Sequence, residues 1–265
     1  MTDSPTAPIS FEAFGVTMGV TTNRREARDR IPEILPPGWR PCSDAAVKHR
    51  LAIVGDERGT YAVDVGGKPV IANVSLDIAL DTLDSAIRMR VAREARERIF
   101  IHAGAVGHAG GALVLPGSSF TGKTTLVAAL VRAGATYYSD EYAVLDSDGL
   151  VHPYAKPLSI RDDGYLQRDQ RVEALGGTTG EQRLPVRAVV VATYRGTIEW
   201  APEPLDAGDA ALALIAHAVP AQDRPAETLR AATRAVEGAL TLKGDRGEAE
   251  DLVPLLLAEL EARAV

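Results

Sequence analysis

Between Phe11 and Thr21 apolar and polar residues alternate closely enough to predict a strand, since successive side chains of a strand face opposite sides of its sheet. Arg24–Ile34 changes to the charge pattern and spacing of a short helix, which Leu35-Pro36-Pro37-Gly38 stops. Leu51–Val54, Tyr61–Val65 and Val70–Val74 are β-prone runs parted by Gly55-Asp56-Glu57-Arg58-Gly59 and Gly66-Gly67. They predict a small antiparallel meander. Leu76–Ile99 reads as one helix with Ile78, Leu83, Ile87 and Val91 on its apolar stripe.

Near residue 98 the texture changes. Ala103–Val106 and Ala112–Pro116 read as β segments around a Gly-rich turn at Gly107–Gly111, and Leu113-Val114-Leu115 is buried-strand material. Leu126–Ala133 predicts a helix ended by Gly134. Thr136–Ser139, Tyr142–Leu145 and Val186–Tyr194 are further strands, the last the clearest in the chain. Helices follow near Ala207–Val219, Ala226–Leu240 and Glu248–Ala264. The pattern predicts a small α+β region over residues 1–97 and an α/β core over residues 98–265.

Composition narrows the partners. The 265 residues suffice for a substantial core, and 46% hydrophobic with 25% charged residues is ordinary for a globular protein. The net charge of −7, from 36 acidic and 29 basic side chains, gives no electrostatic footprint for nucleic acid. A lone cysteine, Cys42, excludes an intramolecular disulfide and reads as a packed apolar side chain. No stretch approaches the roughly 20 apolar residues that span a bilayer, and Met1–Ser10 lacks a signal core, so the expected location is cytoplasmic.

The sharpest feature is Gly117-Ser118-Ser119-Phe120-Thr121-Gly122-Lys123-Thr124-Thr125, which fits G-x-x-x-x-G-K-[ST] at every fixed position. A predicted strand precedes it and a predicted helix follows, the order such a phosphate loop requires. Glycines at 117 and 122 permit backbone angles that a Cβ opposes, so amides can turn inward onto phosphate oxygens at the positive end of a helix. Lys123 is expected to reach the β and γ phosphates of ATP, Thr124 to place its hydroxyl on Mg²⁺, and Thr125 to support the α-phosphate. No guanine-reading motif accompanies the loop; Leu242-Lys243-Gly244-Asp245 is a partial echo. ATP is therefore preferred to GTP.

Asp140-Glu141 ends the strand Thr136–Ser139 and is one helix and one strand downstream of the loop, a spacing that returns carboxylates to the phosphate site. Lys156 and Arg161, in Tyr154-Ala155-Lys156-Pro157-Leu158-Ser159-Ile160-Arg161, are candidates to neutralise phosphate charge, with solvated surface cations as the competing reading. His102 alone reads as structural. His49, His108, His152 and His217 are assigned no role.

Residues 98–200 resemble the HPr kinase/phosphorylase superfamily, specifically its divergent HPr-kinase-like members. The resemblance rests on three ordered landmarks: His102-Ala103-Gly104-Ala105-Val106, the loop Gly117–Thr124, and Asp140-Glu141 after Gly134-Ala135-Thr136-Tyr137-Tyr138-Ser139. Ser119 matches the family serine, and Lys156–Arg161 resembles a stretch of the divergent members. The resemblance implies an α/β P-loop kinase core of the HPr kinase/phosphoenolpyruvate carboxykinase type, transferring phosphate to serine-like hydroxyls, often beside modified-peptide biosynthesis. It implies Asp140 as the group accepting or orienting the hydroxyl proton, Glu141 as a Mg²⁺ holder, and His102 near the transferred phosphate. Phe120 stands where the family has glycine, Ala103 replaces a glycine and Glu141 an aspartate. No phosphorylase-associated segment is found.

The expected activity is thus an ATP-dependent kinase acting on a hydroxyl of a peptide, protein or small metabolite. Two alternatives remain at this stage: an ATP-hydrolysing switch in which Glu141 polarises water, and a nucleotide-sensing module that docks a partner without turnover. The C-terminal face of Leu252, Leu255, Leu256 and Leu260 reads as core, or as a contact between copies in a homo-oligomer.

Overall fold

The computed structural model describes residues 7–118, 121–161 and 167–264, with backbone alone at Arg161, Gln167 and Arg168. The chain divides into two compact units, Met1–Glu97 and Arg98–Val265. Each mixes helices with sheet, and the protein is of mixed α/β class.

The first unit runs β1 (Ile9–Ala13), β2 (Val16–Thr22), α1 (Arg25–Ile34), β3 (Arg40–Pro41), β4 (His49–Gly55), β5 (Tyr61–Val65), β6 (Lys68–Val74) and α2 (Leu76–Glu94). Its sheet has the order β3-β1-β2-β4-β5-β6. The run Phe11–Thr21 is a hairpin rather than one strand. Phe14 (φ 50°) and Gly15 (φ 77°) both take the left-handed conformation that a two-residue turn between twisted strands demands. The expected meander β4-β5-β6 forms, antiparallel throughout. Phe11, Met18, Ile31, Ile53, Leu83 and Ile87 are fully enclosed at its core.

The second unit begins earlier in sheet than the sequence suggests. The helix α2 stops at Glu94, and β7 spans Ile99–His108, so Ile99 starts a strand instead of ending a helix. Ile99 and Ile101 join one core cluster, and Phe100 between them is buried as well, so both faces of β7 are covered there. There follow β8 (Gly111–Pro116), α3 (Lys123–Arg132), β9 (Thr136–Ser139), β10 (Tyr142–Leu145), β11 (Val151–His152), β12 (Leu158–Arg161), β13 (Gln167–Gln170), β14 (Val186–Tyr194), β15 (Glu203–Pro204), α4 (Ala207–Ile215), α5 (Pro225–Val236), β16 (Leu240–Arg246) and α6 (Ala249–Glu261).

The main sheet has the order β11-β10-β7-β8-β14-β16-β15, with β9 also on β7. Its heart is parallel: β8, β14 and β16 run the same way. Helices α4 and α5 bury alanines and Leu214 on one face, while α3 and α6 cover the other. Strand β16 replaces the end of the expected helix Ala226–Leu240 and also contains Leu242-Lys243-Gly244-Asp245, which is therefore strand and not a base-reading loop. Leu252, Leu256 and Leu260 lie in the core and Leu255 is exposed. Among the described residues no helix is long and apolar enough to cross a membrane.

Candidate functional site

The glycine-flanked loop that begins at Gly117 follows the carboxyl end of β8 and leads into α3, at the end of the parallel strands where α/β sheets place ligands. Every residue from Leu126 to Val131 is buried. Each Leu or Val buried there contributes roughly 1.5–3 kcal/mol, against about 1 kcal/mol for a typical N-terminal cap. Packing therefore holds α3, and its amino end can go uncapped. It does: Gly122 at that end has φ 80°, provides no side-chain cap, and the first turn carries no acidic residue. The first turns of α1, α2, α4, α5 and α6 contain Glu26, Asp77, Asp209, Glu227, and Glu250 with Asp251 respectively. The positive end of α3 alone among these helices lacks an internal anion.

Lys123 curls over the loop and donates from Nζ to the carbonyls of Gly117 (2.7 Å) and Ser118 (2.6 Å). Burial holds its ammonium well below the ordinary lysine value, at about 8, although the Asp140 charge opposes the shift. Thr121 Oγ1 donates to Ser118 O at 3.0 Å, and a Cβ on Gly117 would sit only 2.9 Å from that hydroxyl. Gly117, Ser118, Thr121, Gly122, Lys123 and Thr124 thus form one turn of chain, with Thr125 exposed at its end. Ser119 and Phe120 lie outside the described residues.

Strand β9 brings Asp140 back beside the loop. Thr124 Oγ1 donates to Asp140 Oδ2 at 3.0 Å, and the amide of Ser159 reaches the same oxygen at 3.2 Å. The Tyr137 hydroxyl lies 2.8 Å from both Asp140 Oδ1 and the carbonyl of Lys156, so its single proton serves one at a time. Asp140 is buried, with both oxygens engaged. Burial and the neighbouring Asp140 carboxylate push the Tyr137 hydroxyl far above the ordinary tyrosine range, which keeps it a donor.

His102 sits on β7 opposite Tyr142, and its Nδ1 lies 3.0 Å from the carbonyl of Glu141. A carbonyl only accepts, so Nδ1 carries a proton in this contact. The His102 carbonyl accepts from Gly117 N at 3.4 Å, which ties the histidine to the root of the loop. His102, Lys123, Thr124 and Asp140 are therefore brought together, and Glu141 adjoins them. Lys156 joins through its backbone, and Arg161 closes β12 with its side chain outside what is described.

A scan against protein-family models gives no match, and neither does a search of curated proteins.

Sequence reasoning missed three further side chains. His217, just beyond α4, accepts the His102 amide at its carbonyl (2.8 Å); burial and the Lys123 charge hold its imidazole below the usual histidine value. Arg246 ends β16, is 2% exposed, and donates to Gly122 O (2.9 Å) and Gly247 O (2.8 Å). Its Nε–H has no partner, and no ion pair with a carboxylate forms within the described residues. Its guanidinium lies over the ring of Tyr194, 5.2 Å from the centroid. Only the alternation Leu240, Leu242 signalled the strand that delivers Arg246.

Proposed function

We propose that the protein is an ATP-dependent phosphotransferase of the P-loop kinase type, acting on a hydroxyl-bearing acceptor. The observation that carries this reading is the 3.0 Å contact of Thr124 Oγ1 with Asp140 Oδ2, beside a lysine that spans the same loop. Among the described residues no group of three or more His, Cys, Asp and Glu side chains could hold a metal ion alone. That donor set fits Mg²⁺, which prefers one or two protein oxygens completed by water and phosphate oxygens. Thr124 and Asp140 would hold it. When bound, it neutralises charge on the transferring phosphate.

In this reading the amide cradle and Lys123 bind and orient the triphosphate. The acceptor oxygen forms a bond to the γ-phosphorus as the bond from that phosphorus to the β–γ bridging oxygen breaks, and ADP leaves. The resemblance assigns the acceptor's proton to Asp140. The engaged oxygens of Asp140 favour a holding role at Thr124 instead, and the resemblance puts His102 near the transferred phosphate. The resemblance to HPr-kinase-like proteins supports the same class, with peptide or protein serine as one acceptor type.

A second reading has one observation in its favour. With Asp140 held at Thr124, the next residue, Glu141, stands where a water-polarising carboxylate is found in ATP-hydrolysing P-loop proteins. Incubating the chain with γ-labelled Mg·ATP and a library of serine-bearing peptides separates the two. Label in phosphoester, lost in Lys123→Ala and reduced roughly 10²–10⁴-fold in His102→Ala, supports transfer. Release of free phosphate alone, abolished in Glu141→Gln, supports hydrolysis; no turnover at all sinks both.

A further inference from the structure

Tyr194 stands at the carboxyl end of β14, beside the loop, and has been given no role so far. Its Cβ lies 3.4 Å from where a Cβ on Gly122 would be, so the ring starts against the first turn of α3. Three contacts fix it. Its hydroxyl donates to Glu248 Oε1 at 2.7 Å, one ring face rests on the buried Arg246 guanidinium, and the backbone runs into Arg195, whose amide bonds Arg246 O at 2.9 Å. Gly247 lets the chain pass close to the carbonyl of Ile198, where any Cβ would collide. Yet Tyr194 remains 44% exposed. A large ring anchored at its hydroxyl and over one face, yet still partly exposed, is an unusual way to finish a strand, since immobilising a side chain costs entropy that solvent does not return.

Arg246 sharpens the point. Burial lowers its value below the ordinary arginine range, although the Glu248 and Glu250 charges oppose the shift. Among the described residues no carboxylate forms an ion pair with it, and its Nε–H is unused beside the helix whose first turn carries no acidic residue. An added anion there would reduce the cost of burial. A guanidinium under one face of a ring also draws π-electron density toward itself, and leaves the outer face better suited to an electron-rich aromatic partner.

We propose that the open face of Tyr194 is the stacking platform for the purine base of the nucleotide whose phosphates occupy the loop, with Arg246 as the positioning residue that joins platform to loop. This rests on the nucleotide-binding reading above. Stacking uses the π face and reads no base edge, so adenine and guanine nucleotides both engage it.

Calorimetric titration of the full chain with Mg·ATP, Mg·GTP and Mg·tripolyphosphate tests the proposal. Tyr194→Ala is expected to weaken ATP and GTP alike by between about 5-fold and 150-fold, and to leave tripolyphosphate unchanged. Tyr194→Phe, which keeps the ring and loses the Glu248 anchor, should stay within about threefold of the parent chain. Unchanged ATP affinity in Tyr194→Ala overturns the platform and spares the loop. An equal loss of tripolyphosphate overturns it too, because the effect would then pass through the phosphate site. Absence of binding by all three ligands to the unsubstituted chain overturns the parent reading itself.

Discussion

Under the proposed function, Lys123 makes nucleotide binding a proton-linked event. Burial sets its ammonium at about 8, below the ordinary 10.5, and its donors are spent on two loop carbonyls. Phosphate oxygens favour the charged form, so binding raises the value and draws in a proton wherever the free protein has lost it. Below pH 7 the lysine is already charged, and uptake on binding should be under about 0.1 proton. At pH 8 uptake should be about one half, and at pH 9 about 0.9. The same linkage weakens apparent affinity about tenfold from pH 7 to pH 9. The unliganded fold moves the other way: a depressed lysine penalises the folded state below 8, and the penalty is relieved as pH rises from 8 toward 10.5. Titrating Mg·ATP at each pH, in two buffers of different ionisation enthalpy, measures the uptake directly. Lys123→Arg, which stays charged throughout, should bind with no uptake at pH 9. Normal binding at pH 9 without uptake, or equal uptake in Lys123→Arg, would refute the reasoning.

Asp140→Asn keeps an oxygen for Thr124 and removes the charge; Mg·ATP affinity should fall roughly 10–100-fold while metal-free ATP changes little, as read by titration with and without magnesium. Gly122→Ala puts a Cβ 2.5 Å from Arg246 Nη2 in a left-handed conformation, and should lower both nucleotide affinity and the melting temperature. Gly149→Ala, whose Cβ would strike the backbone of α5 at Ala235, should lower the melting temperature with nucleotide affinity unchanged in the surviving folded protein. Asp146 is buried, which alone raises its carboxyl, but His152 (2.8 Å) and the amides of Leu150 and Asp148 lower it further than burial lifts it. Its contribution is full above the unfolded value of 3.8 and fades as pH falls below it, so Asp146→Asn should cost about 3 kcal/mol in urea unfolding at pH 7 and markedly less at pH 3.

What could be read from the chain depended on how local the cause was. The strand–loop–helix around Gly117–Thr125 and the strand Val186–Tyr194 carry their own periodicity and appear with matching elements. The hairpin hidden in Phe11–Thr21 turns on left-handed angles at Phe14 and Gly15, and a phenylalanine gives no sign that it will take one. The apolar residues at Ile99 and Leu240 suit either period, so the sequence pattern extends a helix into each, whereas pairing with β10 or β14 makes both strand. At the site, Lys123, Thr124, Asp140 and His102 could be nominated from motif and order. Arg246, Tyr194 and His217 could not: they reach the loop through the parallel pairing of β14 with β16 and through the bridge of Ile101 with Ala218.

The central claim, that Lys123 with the Thr124–Asp140 pair forms a cradle for a magnesium-bound nucleotide, is tested most directly by calorimetry of Mg·ATP binding to the parent chain and to Lys123→Ala and Thr124→Val. Saturable one-to-one binding to the parent, at least tenfold weaker in each variant with melting temperatures preserved, is the expected result. A parent chain that takes up no nucleotide, or variants that bind as tightly as the parent, would contradict it.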